Sequence, residues 1–501
     1  MHPKIQELRN RLTEINDLNE AHAILSWDQM TFMPPGGAEA RGRQMATLEK
    51  LSHEKFTNLE IGKLLEELQP ILKELPPDSA DAALIRITTH DYEKAIKIPS
   101  SFTSKFSEHT SRTYAAWTKA RAERNFKLVA PLLEKTLDYS RQLANFFPGY
   151  QHIADPLIDD LDKGMTVAII RPLFQKLRTE LTPLVQKITS QLAPDDSCLR
   201  QEFPEAKQLS FGLKVAGKMG YDFNRGRQDK SPHPFTTSFS IGDVRITTRV
   251  KTNNLAEALF STIHESGHAL YEQGINPDFD GTSLATGTSM SVHESQSRLW
   301  ENLVGRSRGF WRYFYPQLQE LFPNQLRNVQ GETFYRAINK VERSLIRTDA
   351  DEVTYNLHVM IRFELELEML EGKLAVKDLP EAWNRRYFND LGVLPPDDSL
   401  GVLQDMHWYS GTIGGYFQSY TLGNILSAQF FEAAEKAHPK IRSEISTGNF
   451  SNLHNWLREH IYRYGHQYPA KEIIERATGR PLEIGPYIKY LKTKYGEIYK
   501  L

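Results

Sequence analysis

Residues 255–274 read LAEALFSTIHESGHALYEQG. Leu255, Leu259, Ile263 and Leu270 recur at helical intervals, and Gly274 offers a C-terminal stop, so the stretch reads as a helix. Inside it, His264-Glu265-Ser266-Gly267-His268 has the form H-E-x-x-H. Side chains four apart stack one turn above another, so both imidazoles can reach one metal ion. Glu265 is displaced round the helix, misses the ion and faces a water on it. Only 16 of 501 residues are histidine, so the form should arise by accident in roughly a few per cent of such chains.

Just upstream the pattern changes. From Phe235 to Val250 apolar and polar residues alternate, β-branched residues are frequent, and Gly242-Asp243 sits at the middle, which predicts a β-hairpin. Elsewhere apolar stripes at three- and four-residue spacing predominate. They begin with Ile5, Leu8, Leu12 and Ile15, and recur near 40–75, 100–145, 166–192, 205–220, 289–305, 332–373, 417–437 and 486–499. Prolines and glycines punctuate them, as in Met33-Pro34-Pro35-Gly36-Gly37, and no fixed-period repeat is visible. The predicted fold is mostly α, with a small antiparallel β element beside the histidine helix.

A tetrahedral catalytic site needs a third protein ligand. The metzincin pattern would put glycine at 271 and histidine at 274, where this chain has Tyr271 and Gly274, so that class is excluded. Glu272 lies one more turn along the same helix, and three donors in a row on one helix do not converge on a tetrahedral point. Residues 289–302 read as a second helix that offers Glu294 and, seven residues on, Glu301. Spacing alone does not choose between them, and Glu294 is the preferred of the two.

Composition bounds the rest. Hydrophobic residues are 40% and charged residues 25%, which supports packed cores and rules out wholesale disorder. A net charge of −2 argues against nucleic-acid binding. Cys198 is the single cysteine, so neither an internal disulfide nor a cysteine-built metal site is available. No run of eighteen apolar residues and no signal-like start occur, so no membrane association and a cytoplasmic location are expected.

Several motifs then fall in order. They are Trp27-Asp28-Gln29-Met30-Thr31-Phe32-Met33-Pro34, Asp243-Val244-Arg245-Ile246-Thr247, the H-E-S-G-H above, His293-Glu294-Ser295-Gln296, Ile346-Arg347-Thr348-Asp349-Ala350-Asp351, and Gly401-Val402-Leu403-Gln404-Asp405-Met406-His407-Trp408. On these the chain resembles the carboxypeptidase Taq family of zinc metallocarboxypeptidases, from near residue 24 to the C-terminus. The resemblance implies zinc held by His264, His268 and Glu294, Glu265 as general base, and Glu301 in support. It also implies a helical gluzincin shell like neurolysin and angiotensin-converting enzyme, with a deep groove: one domain over 1–501, two helical lobes, and a zinc-binding core at about 230–430. The expected activity is removal of single residues from peptides with a free C-terminus, with broad specificity and poor cleavage next to proline. Cobalt would substitute for zinc, and the assembly would be a homodimer.

An acyl-transfer reaction also needs donors aimed at a developing oxyanion. His407 and Tyr420 are the candidates, as related gluzincins use a histidine and a tyrosine. An exopeptidase must further recognise a terminal carboxylate, for which the planar guanidinium fork is suited. Arg347, on what reads as a long helix, is favoured for this role, with an ion pair to Asp351 as its structural alternative. Arg245 with Asp243 would shape the groove end. His233, in a Pro-His-Pro loop, is a further candidate for substrate binding. The edge of the hairpin could hold an extended peptide by main-chain hydrogen bonds.

Overall fold

The computed structural model describes residues 2–501, and helix dominates it, with 68% of residues helical and one three-stranded sheet. The mostly α architecture with a small β element is therefore what the chain forms. Two compact units divide it. The first comprises the chain up to Ile96, Asp196–Ile338 and Phe430–Pro481; the second comprises Lys97–Asp195, Asn339–Gln429 and Leu482–Leu501.

In the first unit, α1 (Pro3–Thr31) buries the predicted stripe of Ile5, Leu8, Leu12 and Ile15 and packs on α2 (Ala38–Phe56). A three-stranded sheet follows. Strands β2 (Thr236–Ser240) and β3 (Asp243–Thr248) form the predicted hairpin, with Thr236 opposite Ile246 and Thr237 opposite Arg245. Its connection is Ile241-Gly242, one residue earlier than the sequence suggested, and a register irregularity sits between Ser238 and Ser240. Strand β1 (Gln228–Lys230) pairs parallel with β3 and leaves β2 at an edge.

Against the sheet lies α3 (Leu255–Gly274), which opens where the Asn254 side chain accepts from the Ala256 N–H. Leu255, Leu259, Ile263 and Leu270 are all buried, so this helix is anchored by its apolar face. It ends at Gly274 as expected, and space also requires glycine at that position. A Cβ there would lie 2.7 Å from the Tyr462 side chain. Next comes α4 (Met290–Arg298), N-capped by Ser289, and it runs into a π-helical turn at Leu299–Val304. The single helix expected over 289–305 is thus two geometries in series.

The stripe at 332–373 needs correcting more deeply. Helix occupies Gly331–Ile338 and α5 (Tyr355–Leu370), and the chain between them is not α-helical. Ile346 is extended, Arg347–Asp349 is a single 3-10 turn, and the Asp351 carboxylate accepts from the Val353 and Thr354 N–H groups. In the second unit the C-terminal helix α6 (Gly485–Tyr499) ties this irregular stretch down. Lys494 forms a buried ion pair of 2.7 Å with Glu352, and the Tyr499 hydroxyl accepts from the Val341 N–H. Among the described residues no helix is long and apolar enough to cross a membrane.

Candidate metal centre and a second polar cluster

Helix α3 places His264 and His268 one turn apart, and α4 crosses close enough to add a carboxylate. Gly267 makes that approach feasible, since a Cβ there would meet Ser297 Cα at 2.6 Å and the Gln296 carbonyl oxygen at 2.8 Å. Ligand-capable atoms of His264, His268 and Glu294 all lie within 4.8 Å of one another. Glu294 Oε2 is 3.4 Å from His268 Nε2 and 3.8 Å from His264 Nε2. With metal–ligand bonds of about 2.0–2.1 Å, donors around a tetrahedral ion sit about 3.3–3.4 Å apart. The cluster is close to that size, and its nitrogen and oxygen donors suit zinc.

The outward-facing atoms are engaged. Glu294 Oε1 accepts from Arg298 Nε at 2.6 Å, which leaves Oε2 to face the imidazoles. His264 Nδ1 lies 2.9 Å from Glu301 Oε2, and the π-helical turn carries Glu301 to that position. Arg298 and Arg306 also reach Glu301, each at 3.2 Å. On the other ligand, His268 Nδ1 is 2.6 Å from His293 Nδ1, and His293 Nε2 is 2.7 Å from Glu272 Oε1. Such partners fix the tautomer that turns Nε2 inward.

Burial drives the charge states. It pushes His268 down to about 3, so that imidazole is neutral with a lone pair to offer. Burial also disfavours the His264 cation, but Glu294 and Glu301 outweigh it and push that pKa up. For Glu294, burial is outweighed by Arg298 and the two imidazoles, which hold the carboxyl well below the usual range. Burial pushes Glu265 up, opposed by His264 and by Thr236. The Thr236 hydroxyl lies 2.7 Å from Glu265 Oε2 and 2.9 Å from the Glu265 carbonyl oxygen.

On the hairpin, Arg245 donates to both oxygens of Asp243, at 2.9 and 2.7 Å, and stacks over Trp27 and Phe239. His233 is exposed in its loop, where its carbonyl accepts from the Ser231 hydroxyl.

The second unit has its own cluster, centred on Asp405. Arg347 Nε donates to it at 2.6 Å, Arg362 Nε at 3.0 Å, and His407 Nδ1 at 2.5 Å. Arg347 therefore pairs with a residue 58 positions on and not with Asp351, because 347–351 is not helical. Its Nη1 also donates to the Tyr355 hydroxyl, and its main-chain N–H to Gln404 Oε1. His407 Nε2 is 3.1 Å from the Tyr420 hydroxyl. Burial lowers the His407 pKa against the pull of Asp405. The neutral ring then gives its Nδ1 proton to Asp405, and Nε2 accepts from Tyr420. In this state the phenol proton is spent on Nε2, and the Tyr420 hydroxyl must turn off His407 to donate to another acceptor. Of the neighbouring aromatics, Tyr409 and Phe417 are core, whereas Tyr416 is exposed.

His293, Arg298, Thr236 and Arg362 have partners here but carried no assigned role from sequence, and Glu272, set aside as a metal ligand, serves His293. Arg298 was accessible, being four residues beyond Glu294 on one helix. The others depend on contacts between separate elements.

An H-E-x-x-H helix with a glutamate from the following helix, on a helical scaffold with a small sheet, defines a metallopeptidase. The chain belongs to the carboxypeptidase Taq (M32) metallopeptidase family, whose model matches residues 7–495. It is 39% identical over 489 residues to thermostable carboxypeptidase 1 of Thermus thermophilus, covering 95% of each chain. Among solved structures, the M32 carboxypeptidase from Deinococcus radiodurans R1 is 49% identical and superimposes with a TM-score of 0.98 over 100% of both chains. The Pyrococcus furiosus carboxypeptidase is 34% identical, with a TM-score of 0.95 over 99% of each. The protein is a metallocarboxypeptidase, a hydrolase of peptides.

Proposed function

We propose that this enzyme removes single residues from peptide C-termini with broad specificity, using zinc held by His264 Nε2, His268 Nε2 and Glu294 Oε2. The observation that carries the reading is Glu294 Oε2 facing both Nε2 atoms while its other oxygen is taken by Arg298. When bound, zinc supplies Lewis acidity and acidifies a water ligand. Glu265 takes up a proton on its carboxylate and returns it to the departing amine. Tyr420, paired with His407, is assigned as the donor to the developing oxyanion. Recognition of the terminal carboxylate is assigned to Arg347, because two guanidiniums share the single carboxylate of Asp405. Arg245, neutralised one-to-one by Asp243, shapes the substrate path together with Asp243 and His233.

The same reading carries over from the family a homodimer, tolerance of cobalt and a cytoplasmic location. The test is release of amino acids from an N-blocked dipeptide, abolished by a chelator and restored by zinc. Equal hydrolysis of the C-terminal amide would defeat the exopeptidase assignment, and activity unaffected by chelation would defeat the metal assignment.

A further inference from the structure

Thr236 joins two features that the reaction treats separately. Its hydroxyl is 2.7 Å from Glu265 Oε2, so that oxygen accepts a hydrogen bond and Oε1 is left to take the proton. The same hydroxyl lies 2.9 Å from the Glu265 carbonyl oxygen, so its single proton is shared between the carboxylate and the helical turn that carries it.

The main chain of Thr236 has a second assignment. Thr247 N–H donates to the Phe235 carbonyl across the β2–β3 ladder, whereas Ile246 N–H donates the other way, to Arg227 beside β1. Thr236 is opposite Ile246. It therefore occupies a position where neither residue bonds the other, and its own N–H and C=O point away from β3, on the outer side of this edge strand. An extended peptide adding to β2 would bond to those groups. One residue thus offers its backbone to the substrate and its side chain to the base.

We infer that Thr236 is a positioning residue that couples peptide binding on the edge of β2 to the orientation of Glu265. This rests on the reading of Glu265 as general base. A hydrogen bond to a charged group accounts for about ten- to hundredfold in rate when lost.

The test compares Thr236→Val, which keeps the shape and loses the hydroxyl, with Thr236→Ser, which keeps the hydroxyl and loses the methyl. Each holoenzyme is assayed on an N-blocked dipeptide with zinc content measured in parallel. The expected result is kcat about ten- to hundredfold lower for Thr236→Val, with KM and zinc content unchanged, and kcat within about threefold of the parent for Thr236→Ser. If the valine variant does not fold, Thr236→Ala against Thr236→Ser isolates the hydroxyl in the same way. A parental kcat without the hydroxyl, or equal damage in the serine variant, overturns the inference. Glu265→Gln run alongside separates the two levels. If it is inactive while Thr236→Val is unimpaired, the coupling fails and the base stands; if it is active, the underlying reading fails.

Discussion

Around Glu294, buried acids outnumber guanidiniums: Glu265, which burial pushes toward its neutral form, Glu272, Glu294 and Glu301 share the neighbourhood with Arg298 and Arg306, and the excess favours a cation on His264. Around Asp405 the order is reversed, with Arg347 and Arg362 on a single carboxylate. Nearby Glu366 adds no charge near neutral pH, since burial pushes its carboxyl up to about 8. Unbalanced buried charge is expensive, so a cluster that retains it is poised for a partner of opposite sign. The acid-rich cluster is built for a cation, and the arginine-rich one for an anionic group. Hydrogen bonds hold both in place, so the sign of the surplus, and not the degree of order, sets them apart.

The largest effect should come from the acid-rich side. Glu265→Gln is expected to lower kcat about a thousandfold while zinc stoichiometry, measured by elemental analysis, stays at the parental value. Appreciable turnover by that variant would remove proton transfer from the first cluster. On the arginine-rich side, Arg347→Ala should cut kcat/KM for free-terminus dipeptides by about a hundredfold and spare the C-terminal amides. Equal losses on both substrates would make Arg347 a structural ion pair, and no loss would move the anchor to Arg245. Glu301→Gln should weaken zinc binding about tenfold in competition with a chromophoric chelator, because His264 loses its charged partner. Parental affinity would show that the outer carboxylate does not tune the ligand.

The smallest effect is one of stability. In the folded protein Glu366 keeps its proton up to about 8, whereas the unfolded chain releases it near 4.5. Between those values the folded state binds more protons, so this group's contribution is complete below about pH 4.5 and is lost as pH rises toward 8. Glu366→Gln removes that dependence. The Tm of the parent should therefore fall relative to the variant between pH 5 and pH 8. Parallel Tm curves would show that Glu366 ionises normally.

The helix carrying both histidines was legible because its stripe, its glycine stop and its motif all point to one conformation. The hairpin was legible from period-two alternation. Strand β1 was not, since three residues, Gln228 to Lys230, are too short for any period to show. Over 332–373 periodicity misled. Ile338, Val341 and Leu345 keep helical spacing although the backbone leaves the helix; Ile338 and Val341 are buried and Leu345 is half-buried, so apolar spacing there does not report helix. The local sign was Asp351, whose short carboxylate competes for nearby N–H groups. Within the metal cluster, Glu294 and Glu301 could not be ranked from spacing. The deciding geometry includes a π-helical turn, which shifts everything after Arg298 round the axis. His293, quoted within a motif, carried no assigned role because its partner Glu272 lies 21 residues earlier on another helix.

The bare Cα at Gly267 has a consequence for how this enzyme can change over time. The backbone of 296–297 fills the space that any side chain there would need. A lineage could accept alanine at 267 only after drift had already moved that segment outward, which would carry the third donor away from the imidazoles. Randomising position 267 alone and selecting for function should return glycine, whereas libraries that also vary the 296–297 segment could open other solutions.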